Sequence, residues 1–334
     1  MDRTRPKIDP THRETALLAS SQFPSGVAWL LNFFVELDVL IYRGNSPEKT
    51  WLYDSNNRTY RVTEGDQILK QWIPALTDQP DRTFAESLCI RWSHEFPNST
   101  NVQQKVILMM RDGRDAVYSQ YKREHAADRA LQDMLRMHYA PLDLPPAETW
   151  ATHAYLWLQR IPKDRLHIIR FEDIKTDPLP EVKRLLAFLG MQRSDEDLQR
   201  AITSSSFERA KQAETAYRAQ QTQTQFAEVN RKGQPGEWKT NYTPETLRFF
   251  TGFPLYILNT FGYETDASTT CTDACCRLLL KIKKAQVVSR WFMRVNLRSV
   301  TQRFMQQVIN TIKSLLPKQV RIVTKKLKQN VTNS

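Results

Sequence analysis

Ala16–Leu37 reads ALLASSQFPSGVAWLLNFFVEL, and its two halves follow different periods. Ala16-Leu17-Leu18-Ala19 is a continuous apolar run, as a strand covered on both faces requires. It stops at Ser20-Ser21-Gln22-Phe23-Pro24-Ser25-Gly26, a cluster of turn residues. Beyond the turn Val27, Leu30, Leu31, Phe34 and Leu37 recur at helical spacing. Two later stretches repeat the pattern. Lys105–Met110 (KVILMM) leads through Asp112-Gly113 into a helix carrying Val117 and Tyr121. Leu166–Phe171 (LHIIRF) leads through Pro178–Pro180 into a helix carrying Val182, Leu185, Leu186 and Leu189. Buried strands alternating with amphipathic helices predict an α/β fold, a mainly parallel sheet flanked by helices on both faces. Ligands of such sheets sit at the carboxyl ends of the strands, where the first two turns fall.

The wider composition agrees with a globular enzyme-sized chain: 334 residues, 40% hydrophobic and 25% charged. Four cysteines, three of them crowded at Cys271, Cys275 and Cys276, suggest neither a disulfide framework nor a zinc site, so a reducing, cytoplasmic setting is expected. Met1–Arg13 is polar and basic and does not read as a signal peptide. The greasiest segment, Val27–Tyr42, is broken by Glu36 and Asp38 and does not read as a membrane span. The net charge of +12 is concentrated at one end. Residues 265–334 hold 14 Lys+Arg against 2 Asp+Glu, which accounts for all of it, so residues 1–264 are neutral. Two domains are therefore expected, a neutral body at 1–264 and a basic C-terminal extension at 265–334. In the extension Val287, Val288, Trp291, Phe292 and Val295, then Val300, Phe304, Val308 and Ile312, keep helical spacing between Lys and Arg. Such a basic amphipathic helix suits an anionic membrane surface, packing on the body, or a protein partner. Nothing in it resembles a nucleic-acid module, and no nucleic-acid partner is expected.

Three segments of the body suit an anion. The first turn offers backbone N–H groups at a helix N-terminus together with the hydroxyls of Ser21 and Ser25. The Walker pattern G-x-x-x-x-G-K-S/T is absent, which argues against a kinase. Arg111, at the end of the second strand, stands eight residues before Ser119, placing a guanidinium and a hydroxyl for one phosphate. The alternative is a surface ion-pair cluster of Arg111, Asp112, Arg114 and Asp115. The third segment, Arg231-Lys232-Gly233-Gln234-Pro235-Gly236-Glu237-Trp238-Lys239, sets two cations before Gly-x-x-Gly, as a loop closing over an anion or as a charged surface turn.

Taken in order, these segments resemble the sulfotransferase family that uses 3′-phosphoadenylyl sulfate (PAPS), over roughly Thr15–Tyr263. The resemblance implies a P-loop-like sulfotransferase fold and transfer of a sulfuryl group from PAPS to a hydroxyl or amine acceptor, leaving the bisphosphate PAP. It implies that Ser21, Pro24, Ser25, Gly26 and Val27 lie on the 5′-phosphosulfate and that Trp29 stacks on adenine. By the same likeness Arg111, Ser119, Arg231, Lys232 and Gly233 hold the 3′-phosphate, with Ser205 and Phe207 beside the adenine. Phe171-Glu172-Asp173 is similar to the family's aromatic-Glu-Asp turn. His94 corresponds to the family's catalytic histidine, and an imidazole suits removal of the acceptor's proton. No metal is required on this reading. Two family lysines are replaced, by Pro24 and by Trp92, so Arg91, Lys232 or another cation must neutralise the bridge oxygen, or turnover is poor. These departures leave open a second reading, a catalytically impaired PAP- or PAPS-binding regulatory or scaffold protein docked to a membrane by its tail. The segments 42–79 and 126–150 are the expected acceptor loops.

Overall fold

The computed structural model describes residues 14–263, apart from 45–46, 55–56, 58, 64–65, 79–80, 85–87, 125, 220–227 and 229, and beyond them only Ala285 and Ser289. The boundary expected near residue 264 and the basic amphipathic extension lie outside the described residues. In chain order the strands are β1 (Glu14–Ser20), β2 (Leu40–Arg43), β3 (Trp51–Asp54), β4 (Thr59–Val62), β5 (Leu88–Ser93), β6 (Val106–Met110) and β7 (Leu166–Arg170). The helices are α1 (Val27–Glu36), α2 (Gln67–Trp72), α3 (Pro74–Asp78), α4 (Gly113–Glu124), α5 (Leu131–Arg136), α6 (Pro146–Arg160), α7 (Phe171–Thr176) and α8 (Pro178–Leu189). They continue as α9 (Asp195–Ser204), α10 (Phe207–Ala219), α11 (Trp238–Asn241), α12 (Pro244–Leu247) and α13 (Phe253–Thr260).

Five strands form one sheet in the order β2-β5-β1-β6-β7, and every pair is parallel. The predicted α/β architecture is therefore the observed one. Strands β3 and β4 form a separate antiparallel hairpin. The inner strands are dry on both sides. Ala16, Leu18, Ile107, Met109 and Ile169 share one buried cluster with α1, α8 and α9. The alternate residues Leu17, Ala19, Val106, Leu108 and Met110 are buried too, at most 2% exposed, where α6 packs on β6 and α4 and α13 pack on α6. Burial on both faces is the reason these strands read as continuous apolar runs. Among the described residues no helix is long and apolar enough to cross a membrane.

The helices follow from local chemistry. α8 starts with Pro in its first turn, ends at Gly190 with φ 79°, and buries Val182, Leu185, Leu186 and Leu189 along one stripe. α4 carries Asp115 in its first turn and Lys122 and Arg123 in its last, complementing the helix dipole at both ends.

One strand was not expected: His94 directly follows β5, whose Arg91 and Trp92 hide its apolar character. In the apolar stretch Val27–Tyr42, α1 ends at Glu36, and Asp38, at φ 58°, turns the chain into β2. The outcome is a sheet with β1 in the middle. Its chain leaves through α1 to the far edge at β2, while β6 pairs on the other side, so the strand order reverses at the carboxyl end of β1. That is where a doubly wound sheet opens a crevice.

The sheet's centre and edge should respond differently to the same truncation. Leu108 and Ile168 are register partners on β6 and β7, yet Leu108 is fully buried and Ile168 is 38% exposed. Leu108→Ala should cost about 2–5 kcal/mol in denaturant unfolding, and Ile168→Ala under about 1 kcal/mol. Equal losses would contradict the two-sided burial of the inner strands.

Candidate functional site

A cavity of about 620 Å³ opens at the carboxyl ends of the strands. The residues following β1, β5, β6 and β7 converge there: Gln22–Trp29, His94, Arg111 and Phe171 all line it. Ser119, Arg123 and Glu124 of α4, Lys175 of α7, Ser205–Glu208, and Asn230–Gly233 with Glu237 also line it. Every sequence-predicted site residue except Ser21 is brought to this one cavity. Ser21 is buried and its hydroxyl donates to Phe23 O at 3.2 Å, so the side chain is occupied inside the turn.

The first loop reaches α1 through Gly26, which caps the helix at φ 85°. A Cβ there would collide with the ring of Phe171, so the close approach of the loop to α7 requires glycine. Ser25, 3% exposed, presents a hydroxyl that has no partner among the described residues. Trp29 lies on the cavity wall with its ring stacked parallel to Phe33 at 5.5 Å.

Arg111 sits just past β6, 6% exposed, and donates from Nη2 to Gln234 O at 3.0 Å. Its guanidinium also lies 4.8 Å from the centre of the Phe171 ring. Burial pulls its pKa below the ordinary value, against the charges of Asp115, Glu172 and Glu237, which raise it. The surface ion-pair cluster weighed for 111–115 does not form. Arg114 instead pairs with Asp112 at 2.6 Å in the interior and stacks over Trp238 at 3.5 Å. Asp115 accepts hydrogen bonds from the backbone of Gly236 and Trp238.

The segment 231–237 is clamped at both ends by carboxylates. Glu214, 1% exposed, accepts from Asn230 N and Nδ2 before the loop, and Asp115 holds its far end. Within it Glu237 pairs with Arg231 and, at 3.2 Å, with Lys232. Gly233 has φ 61° and rests so close to the Phe207 ring that no Cβ fits. Lys175 approaches the same ring at 5.6 Å.

His94 follows β5. Its Nδ1 is 3.1 Å from Ser20 O and 3.2 Å from Ser20 Oγ. The carbonyl oxygen only accepts, so Nδ1 carries the proton and Nε2 keeps its lone pair. Trp92 Nε1 donates to the same Ser20 hydroxyl at 3.2 Å, and the Trp92 and His94 rings meet edge-on at 5.0 Å. The residue standing where a lysine was expected therefore fixes the orientation of the histidine. Burial pushes the His94 imidazole below its ordinary value, and the positive charges of Arg123 and Arg43 act in the same direction. His153, fully enclosed and held by Trp157 Nε1 at 3.1 Å, is pushed down to about 3 by burial and by His94. Both imidazoles are neutral at pH 7.

Of the cations proposed to replace the missing lysine, Arg91 pairs with Glu95 at 3.3 Å and does not line the cavity, whereas Lys232 does. The expected acceptor segments contribute only Trp72 to the lining, although Tyr139 packs on Phe23 at 5.4 Å. Sequence reasoning missed Gln22, Arg123, Lys175 and Asn230. Arg123 alone had a readable signal, its spacing of four residues from Ser119 on one helix.

Most of these segments fall within the span over which the chain matches known proteins. The model of the sulfotransferase domain matches residues 25–253, well over half of the chain. Sulfotransferase 1E1 of Bos taurus is 30% identical over 102 residues, which is 29% of this chain and 35% of that protein. The chain thus spans about a third of that relative's length. Sulfotransferase 2A1 of Rattus norvegicus is 23% identical over 243 residues, covering 68% of this chain and 78% of that protein. Among solved structures, a mouse sulfotransferase complexed with PAP aligns over 81% of this chain and 91% of its own, with TM-score 0.47 and 17% identity. Since the domain match runs from the first loop of the cavity to the start of α13, the chain belongs to the sulfotransferase-domain family.

Proposed function

We propose that the cavity binds PAPS and that the domain transfers its sulfuryl group to a hydroxyl or amine acceptor, with His94 as general base. The observation that carries this reading is a set of buried donors on the cavity wall. Gln22 Nε2, Ser25 Oγ, Arg111 Nε, Ser205 Oγ and Arg231 Nε are all buried without a partner among the described residues. Leaving such groups unpaired costs about 1–3 kcal/mol each, which an anion with many acceptor oxygens would recover. The donors fall into two groups. Arg111 and Arg231, with Ser119, suit the 3′-phosphate; Ser25 and the N-terminus of α1 suit the 5′-phosphosulfate. Trp29 and Phe207 offer flat faces for a purine.

In the reaction the acceptor's lone pair forms a new S–O or S–N bond as the bond from sulfur to the bridging oxygen breaks. That oxygen leaves with the electron pair as the 5′-phosphate of PAP. The acceptor's proton passes to His94 Nε2, whose ring is held by Ser20 and Trp92. A cytoplasmic site of action suits the sparse cysteines. For residues 265–334 we retain docking on an anionic membrane surface, on the strength of their charge and apolar spacing. Salt-sensitive sedimentation with phosphatidylserine vesicles should then be lost from a chain ending near Glu264. Equal sedimentation of both chains would remove that role.

PAP should raise the melting temperature, and at a hundred times its dissociation constant it should stabilise the fold by about 2.7 kcal/mol. Arg111→Gln should abolish most of this shift. A folded protein indifferent to millimolar PAP would end the nucleotide reading.

His94→Gln should eliminate sulfuryl transfer to a panel of phenol, alcohol and amine acceptors while PAP affinity stays within a few fold. Because its pKa is depressed in the folded state, the base remains neutral until the pH falls below its ordinary value of 6.5. The rate should therefore be flat near pH 7 and decline only on the acid side of that value. PAP binding without transfer to any acceptor would instead favour the impaired, regulatory reading.

A further inference from the structure

The first loop supplies no cation: residues 21–26 are Ser, Gln, Phe, Pro, Ser and Gly. Sulfuryl transfer nevertheless places growing negative charge on the bridging oxygen, and an unneutralised leaving group slows the step by orders of magnitude. The positive charge must come from elsewhere on the cavity wall.

Five cationic side chains line that wall: Arg111, Arg123, Lys175, Arg231 and Lys232. Four of them gather at the clamped segment. Arg111 donates to Gln234 O, Arg231 and Lys232 bind Glu237, and Lys175 lies against the Phe207 ring that covers Gly233. Arg123 is different. Asp115, Ser119 and Arg123 are spaced four residues apart on α4 and share one face of it. Asp115 is tied to the clamped segment, Ser119 is the next step into the cavity, and Arg123 is the last. Each step advances about 6 Å along the helix, so the face leads away from the clamped segment.

His94 lines the same cavity as Arg123, and the Arg123 charge is among the influences that lower its pKa. The guanidinium is partly engaged, through Nη2 alone, with Gln120 Oε1 at 2.7 Å and Glu124 Oε1 at 3.0 Å. Nε and Nη1 have no partner among the described residues. The side chain is 20% exposed, so its charge is only partly screened by water.

We propose that Arg123 holds the sulfuryl end of PAPS beside His94, in the role that Pro24 cannot fill. The inference rests on the sulfotransfer reading and adds to it a residue and a position. Nε and Nη1 donate to the sulfuryl and bridging oxygens, while Gln120 and Glu124 keep the fork in place. Arg123 remains protonated throughout. It neutralises the electron pair that the bridging oxygen takes from sulfur, and the acceptor's proton still goes to His94.

A binding experiment separates this from the parent reading without needing the acceptor. PAP and PAPS share both phosphates, and only PAPS carries the sulfuryl group. Calorimetric titration of the full chain should show R123Q binding PAP within about twofold of the unaltered protein and PAPS about tenfold more weakly, a difference of about 1.4 kcal/mol. R123K should recover part of the loss, and R111Q should weaken both ligands together. Retained PAP affinity reports that R123Q is folded. If R123Q weakens both nucleotides equally, or neither, the assignment of Arg123 is wrong while the sulfotransfer reading stands. If the unaltered protein binds neither nucleotide, the parent reading fails and this inference falls with it.

Discussion

A guanidinium with almost no contact with water stands at the carboxyl end of the second inner strand, and the surrounding architecture compensates its charge. Arg111 is 6% exposed, and burying an uncompensated cation is among the most costly things a fold can do. Three carboxylates answer it. Asp115, Glu172 and Glu237 all raise its pKa against the pull of burial. Each has a second task. Asp115 fastens the backbone at 236 and 238, Glu172 accepts from Asp112 N at 2.9 Å, and Glu237 holds Arg231 and Lys232. The charges that stabilise Arg111 thus also position the loop that closes over it. What they leave unmet is directional: Arg111 Nε and Arg231 Nε still lack acceptors among the described residues. An oxyanion arriving in the cavity meets donors that are already fixed, which is the condition for tight and oriented binding.

Trp92 and Pro24, the two positions where the resemblance implies a lysine, differ in what the structure does with them. At Trp92 the substitution converts a charge into a strut, because the indole N–H pins the Ser20 hydroxyl that touches His94. Trp92 thus supports the imidazole's orientation, while the Ser20 carbonyl sets its tautomer. At Pro24 nothing equivalent is gained, since proline donates no hydrogen bond and the neighbouring Ser25 hydroxyl is neutral. On the proposed function, the electrostatic work falls to Arg123 on the helix after β6 and not to the loop after β1.

How far the sequence disclosed this depends on which physical signal each part carries. The inner strands β1 and β6 were legible because burial on both faces leaves them almost purely apolar. Strand β5 was not, because Arg91 and Trp92 interrupt its apolar run; Arg91 pairs with nearby Glu95, and Trp92 reaches Ser20 at the end of β1, 72 residues away, only through the fold. Strand β2 merged with the helix before it, since no glycine or proline separates them and the turn is made by Asp38 in the left-handed region. In the site, Arg111 and Ser119, eight residues apart across the turn from β6 into α4, line the cavity as expected. The clamp was invisible. Glu214 and Asp115 are ordinary acids in sequence, and their roles arise from contacts over 16 and 121 residues.

On the proposed function, the unpaired buried donors form one anion-binding surface in two parts. A crystal structure of the full chain with PAP tests it most directly. The account predicts one phosphate bonded to Arg111 Nε, Ser119 and Arg231 Nε, and the other at Ser25 and the first N–H groups of α1. Phosphates found outside the cavity, with Arg111 Nε and Arg231 Nε satisfied by the protein's own oxygens, would contradict it.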